Sequence, residues 1–166
     1  MKRRFVGLSV LVMLAGATAH AAEWTGTARV IDGDTLEVGG TRLRLAGIDA
    51  AEAAQICVGP GAVAYDCGYE ARQELVRLIG DQVVRCGGTG TDRSHQPLVV
   101  CHAGQTNLNA EMVRSGWAVA WQSRDYQRLE DEARAARRGL WQGKFQQPDQ
   151  WRREHEALSP APTPKR

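Results

Sequence analysis

The sequence predicts a small α+β protein: a five-stranded β-barrel of the OB type carrying about three helices. Three observations carry this expectation. The first half holds three short strand-like runs, two of them joined by a Gly-Gly turn. One helical stretch separates these from two further strands, and the remaining helices trail behind the last strand.

Residues 1–21 stand apart from that domain. Lys2, Arg3 and Arg4 make a positive start, Phe5 to Leu14 is a short apolar run, and Ala19-His20-Ala21 offers an A-x-A cleavage site. This is the pattern of a signal peptide, so an exported protein, periplasmic or secreted, is expected. The apolar run is too short to span a bilayer comfortably and no later stretch approaches it, so no stable membrane span is expected after cleavage. The segment carries three of the 21 basic residues and no acid, which leaves 18 basic against 19 acidic side chains in the mature chain. Any basic footprint for a polyanion must therefore be local. The domain is expected over residues 22–157, a length that buries a real core as one unit. Residues 158–166, with Pro160, Pro162 and Pro164, read as a disordered tail.

The strands are expected at Thr25–Ile31, Thr35–Val38 and Thr41–Ile48, with Gly39-Gly40 as the tight turn. In the third, Leu43 and Leu45 alternate with Arg42 and Arg44, which sends the leucines to one face and the arginines to the other. A loop with Gly59, Pro60 and Gly61 precedes a helix from Tyr69 to Ile79. Gln82–Cys86 and Leu98–Cys101 read as the last two strands. Asn109 is a candidate cap for a helix through Ser115 that Gly116 ends. A final helix is expected from about Asp125 to Arg138, with Tyr126, Leu129, Ala133 and Ala136 on one face, Glu130 supporting Arg134, and Gly139 as the stop.

Four cysteines, Cys57, Cys67, Cys86 and Cys101, in an exported chain point to disulfides, with three connectivities open. Cys57–Cys67 with Cys86–Cys101 is favoured, because the second pair flanks a hairpin. A zinc site competes, but no C-x-x-C occurs.

Two runs carry chemistry: Asp32-Gly33-Asp34-Thr35, and Arg44-Leu45-Ala46-Gly47-Ile48-Asp49-Ala50-Ala51-Glu52. A hard divalent cation takes oxygen ligands, and a phosphodiester suits a fork of fixed positive charge. Taken singly, Asp-Gly is a common turn former, Arg44 a solvated edge residue and Glu52 an exposed carboxylate. Their joint spacing is what points to a site.

These runs resemble the thermonuclease (staphylococcal nuclease-like) family. The similarity continues through Gly68-Tyr69-Glu70-Ala71, Asn109-Ala110-Glu111-Met112-Val113-Arg114-Ser115-Gly116-Trp117 and Ala135-Ala136-Arg137-Arg138-Gly139-Leu140-Trp141. The cysteine placement resembles that of exported bacterial members. The resemblance implies an OB-fold of the staphylococcal nuclease type and Ca²⁺-dependent hydrolysis of DNA or RNA phosphodiesters. By position, Asp34, Asp49 and the backbone carbonyl of Ala50 would hold Ca²⁺, with Asp32 supporting them. Glu52 would orient or deprotonate the attacking water, and Arg44 would clamp the phosphate.

The chain departs from the family's pattern in two places. Ala51 stands where a proline is usual. Asp92-Arg93-Ser94-His95-Gln96 stands against a usual Asp-Arg/Lys-Tyr-Gly-Arg, so Gln96 occupies the place of a second catalytic arginine. Arg93 is a candidate substitute for substrate binding, and Trp121 falls where an aromatic often packs on the nucleotide, though rim packing fits it as well. His95, His102 and His155 show no ligand spacing. The expectation is a weakened Ca²⁺-dependent nuclease, monomeric, with nucleic acid as partner. The alternative is a non-catalytic nucleic-acid or polyanion-binding OB-fold module of the cell envelope. A third reading is an envelope structural module.

Overall fold

The computed structural model describes residues 22–158; the signal peptide expected over 1–21 and the tail from Ser159 onward lie outside the described residues. The strands and helices are β1 (Ala22–Gly26), β2 (Ala28–Val30), β3 (Thr35–Val38), β4 (Thr41–Leu45), β5 (Ile48–Ala50), β6 (Ile56–Val58), β7 (Ala64–Asp66), α1 (Cys67–Ile79), β8 (Val84–Thr91), β9 (Pro97–Ala103), β10 (Thr106–Asn107), α2 (Leu108–Arg114), β11 (Ala118–Ala120), α3 (Gln127–Ala135) and α4 (Pro148–Leu158).

The main sheet runs β1-β8-β9-β4-β3-β2. All its pairings are antiparallel except β4 with β9, which is parallel. Its two end strands, β1 and β2, are separated in the chain by Thr27 alone. The sheet therefore curls until its ends meet at that residue. The expected single strand Thr25–Ile31 is one bent strand that pairs β8 with its first part and β3 with its second. Counted so, the barrel has the five strands of an OB-fold.

Alternation in β4 works as the pattern predicts. Leu43 and Leu45 are buried, Arg42 is exposed, and Arg44 lies at the rim. Gly39 and Gly40 close the β3–β4 hairpin with φ of +57° and +78°, a turn that L side chains adopt poorly. Leu36, Val38, Val84 and Val99 join the leucines in the core, where Leu75 of α1 and Leu108 and Met112 of α2 close one side.

Both favoured disulfides are present. Cys86 and Cys101 face each other across β8 and β9 with Cα atoms 4.1 Å apart, and Cys57–Cys67 ties β6 to the first residue of α1. Several elements differ from expectation. Asn107, not Asn109, caps α2, its side chain accepting from Ala110 N at 3.0 Å. Asn109 is fully buried instead, accepting from Cys101 N at 3.1 Å and donating to Ala46 O at 2.9 Å and Val99 O at 3.0 Å. α3 is shorter than expected, and Ala136 lies exposed beyond its end; the Glu130–Arg134 pair is made at 2.6 Å. α4 is a fourth helix.

Candidate active site

Asp32-Gly33-Asp34 is the turn that carries β2 into β3. The amides of Ile31 and Asp32 both donate to Thr35 O, at 2.9 and 3.2 Å, and Asp32 Oδ1 accepts from Asp34 N at 3.1 Å. That geometry sends the Asp34 side chain inward. Its Oδ1 accepts from Thr35 Oγ1 at 2.9 Å, and its Oδ2 accepts from Ala50 N at 3.1 Å and Arg44 Nη2 at 2.9 Å. The same Arg44 nitrogen donates to Asp49 Oδ1 at 2.7 Å. Asp34 from the turn before β3, Arg44 from β4 and Asp49 from β5 thus meet at one nitrogen.

Asp49 is held by its strand. β5 pairs with β11 in the register Val119↔Asp49, and the far end of β11 is fixed by Glu130, whose carboxylate accepts from Ala120 N at 2.7 Å. The turn after β5 carries Glu52 and is stapled by Gln55, a fully buried amide. Gln55 Oε1 accepts from Glu52 N at 3.1 Å, and Gln55 Nε2 donates to Gln146 O at 2.7 Å. Helix α1 presses on the same turn: a Cβ on Gly68 would lie 2.0 Å from Glu52 O, so only glycine allows that approach.

Besides Gln55, sequence reasoning missed Arg152. From α4 its guanidinium donates to both oxygens of Asp49, Nη1 to Oδ1 and Nη2 to Oδ2, each at 2.8 Å, and Nη1 also meets Glu52 Oε1. Pro148 in the first turn, Asp149 beside it and the Asp149–Arg153 pair are helix-start signals that the sequence does contain. The contact with Asp49 spans 103 positions and leaves no local trace.

Burial sets the electrostatics. Desolvation pushes the Asp34 carboxyl up to about 6, against the pull of Arg44 and with a further push from Asp32. Asp49 is raised by burial, opposed by the Arg152 hydrogen bond, and Glu52 is raised by burial with the same opposition. Burial works against the Arg152 charge, but its bonds to Asp49 and Glu52 outweigh it and raise that group. Three carboxylates face two guanidinium groups, so the site keeps an uncompensated negative charge.

A divalent cation fits that surplus. The two carboxylate oxygens already converge on one positive centre, Arg44 Nη2, at 2.9 and 2.7 Å, slightly beyond the about 2.3–2.6 Å typical of Ca²⁺–oxygen contacts. Among the described residues no three His, Cys, Asp or Glu side chains form a metal-binding cluster. The protein would thus supply few ligands, and water the rest.

The site opens on a cleft of about 780 Å³, whose walls include Arg44, Arg93, Trp121, Tyr126 and Arg152. Trp121 is half-buried there, its amide donating to Gly47 O at 2.9 Å. Arg93 is exposed on the rim. Gln96 is not among the cleft-lining residues. Its backbone closes the loop on Asp92, its amide donating to Asp92 Oδ1 at 2.9 Å, and its side-chain oxygen is buried without a hydrogen-bond partner. His95 takes φ +62°, the left-handed conformation that favours glycine. A smaller cavity of about 330 Å³, between Pro60, Tyr65 and Trp117, holds no carboxylate pair. No helix among the described residues is long and apolar enough to cross a membrane.

Comparison with known proteins gives the same direction. A family model described as staphylococcal nuclease homologue matches residues 42–143. An uncharacterized endonuclease of Haemophilus influenzae is 30% identical, over 93% of this chain and 88% of its own length. Protein ParB of Escherichia coli is 33% identical over 93% of this chain and 96% of its own, and the succinoglycan biosynthesis protein ExoI of Rhizobium meliloti is 32% identical over 83% and 75%.

Proposed function

Because this chain belongs to the staphylococcal nuclease homologue family, we propose that it is an exported, Ca²⁺-dependent phosphodiesterase acting on DNA or RNA, with a rate lowered by the neutral residue at position 96. The observation that carries this is the convergence of Asp34 and Asp49 on one Arg44 nitrogen beside Glu52, with Arg44 and Arg152 connecting these carboxylates to an arginine-lined cleft.

Asp34, Asp49 and the Ala50 carbonyl are the groups that would hold Ca²⁺, which when bound would supply positive charge against a phosphoryl oxygen. The protein's own groups do the rest. Arg44, one-fifth exposed and lining the cleft, turns its fork to the phosphate once its carboxylate partners are otherwise neutralised. Glu52, its proton affinity raised by burial, takes a proton from water. That water's oxygen bonds to phosphorus, the bond from phosphorus to the leaving sugar oxygen breaks, and solvent protonates the leaving oxygen. Gln96 carries no charge and its side chain lies outside the cleft lining, so no second guanidinium comes from that loop position, and loss of a transition-state arginine typically costs about 10³–10⁵ in rate. Trp121 offers a face for a base, and Arg93 a cation for the chain beyond it. Export accords with the leader pattern and with two disulfides.

The test is cleavage of circular single-stranded DNA and of RNA by the purified protein, in Ca²⁺ and in EGTA, beside Glu52→Gln. Ca²⁺-dependent nicking that falls at least about 100-fold in Glu52→Gln supports the reading. Equal activity in the two proteins marks a contaminant. Calcium-dependent binding of the same nucleic acids without cleavage supports the binding-module reading instead.

A further inference from the structure

We propose that Arg152 is a second phosphate-binding guanidinium, parked on the cation-site carboxylates and freed for substrate when a divalent cation takes those oxygens. This rests on the phosphodiesterase reading above.

The two arginines share an acceptor. Arg44 Nη2 and Arg152 Nη1 lie 2.7 and 2.8 Å from the same atom, Asp49 Oδ1. Two forks that meet on one oxygen are spaced to meet on one phosphate, which offers several oxygens in a similar volume. Both line the same cleft, and Arg152 reaches it from the rim, with its side chain 26% exposed while Asp49 is fully buried.

The helix that presents Arg152 is anchored. Lys144 makes a two-way backbone bridge to Val58, donating at 2.7 Å and accepting at 2.9 Å, next to the Cys57–Cys67 disulfide. Gln146 O takes the Gln55 amide, and Gln55 also holds Glu52. Arg152 is therefore fixed relative to Glu52, not carried on a free end. It lies beyond residue 143, where the match to the family model stops.

Both Asp49 oxygens are already occupied by guanidinium groups, so a divalent ion must displace or loosen these contacts to bind there. Asp49 gives Oδ1 to both arginines and Oδ2 to Arg152. A divalent ion bound at Asp34 and Asp49 competes for these oxygens and turns the local surplus from negative to positive. Cation and phosphate should then bind with positive coupling, through two guanidinium groups. The same charge argument makes Arg152 an internal competitor of the ion. Its removal should help one ligand and harm the other, a pair of opposite signs that a merely structural ion pair does not produce.

The experiment measures Ca²⁺ binding alone, and thymidine 5′-monophosphate binding in saturating Ca²⁺, by calorimetry on the full chain; the mononucleotide has no phosphodiester to be cleaved. For Arg152→Gln the expected result is Ca²⁺ affinity raised at least about threefold and mononucleotide affinity lowered at least about tenfold. Arg152→Lys, which keeps the charge but not the fork, should leave Ca²⁺ affinity near wild type and lower mononucleotide affinity about threefold or more; it carries the test if Arg152→Gln does not fold. Mononucleotide affinity unchanged or raised in the variants, or both affinities lowered together, overturns the proposal. If the wild type shows these couplings without cleaving nucleic acid, the hydrolase reading fails and the clamp stands. If it cleaves and the variants bind as wild type, the clamp alone fails.

Discussion

Replacing Asp34 by Asn should stabilise the metal-free protein at neutral pH. Asp34 is 4% exposed, and burial holds its carboxyl at about 6 against an ordinary 3.8. A carboxyl raised in the folded state contributes stability that is fully present below pH 3.8 and is lost as pH rises through about 6. Two units at about 1.4 kcal/mol each put that loss near 3 kcal/mol, with the attraction of Arg44 already inside the figure. Asn fits the same contacts. Its oxygen can accept from Ala50 N and Arg44 Nη2, and its amide nitrogen meets the Thr35 hydroxyl, which turns to accept. Urea denaturation in EGTA from pH 4 to pH 8 reads the difference between the two proteins; removing the Asp34 charge also relieves its push on Asp49 and Glu52, a change of the same sign at high pH. The curves should coincide near pH 4 and separate to about 3 kcal/mol at pH 8, with Asn the more stable. The stabilisation that wild type gains from millimolar Ca²⁺ should vanish in the variant. An Asn variant that is equal to or weaker than wild type at pH 8 refutes the claim that burial, not pairing with Arg44, dominates this carboxylate.

Gln96→Arg should raise phosphodiester hydrolysis at least about tenfold, read as initial rate on a labelled oligonucleotide, because a guanidinium cannot stay where the Gln96 oxygen is buried unpartnered and will extend from the loop. Asn109→Ala should cost about 3 kcal/mol or more in urea denaturation, since it strands Cys101 N, Ala46 O and Val99 O in the core. Removing the Cys86–Cys101 bridge as a double Ser variant should cost about 3 kcal/mol by the loop it closes, and peptide mapping of the wild type without reductant should return only the two expected pairs.

The parts of this molecule written in neighbouring residues were legible. The alternation of Leu43 and Leu45 with Arg42 and Arg44 places the core face and leaves Arg44 near the site. The hairpin flanked by Cys86 and Cys101 brings those residues opposite one another. Where two residues satisfy the same local rule, burial decides. Asn107 and Asn109 are both acceptable caps, and the barrel takes Asn109 because three backbone groups beneath α2 need partners. The β6–β7 hairpin was missed because strands of three residues show too little period to read. Gln55 and Arg152 were missed for a different reason: each makes a contact across about 90 positions or more that exists only once the chain is folded, and the local bond from Glu52 N to Gln55 is not by itself distinctive.

The most direct test is the initial rate of oligonucleotide hydrolysis against free Ca²⁺, for wild type and Asp49→Asn, at pH 8. The site described here predicts a rate that rises from zero and saturates in wild type, and a flat line at background in Asp49→Asn. A wild-type rate that is independent of Ca²⁺, or an Asp49→Asn variant that follows the wild-type curve, contradicts it.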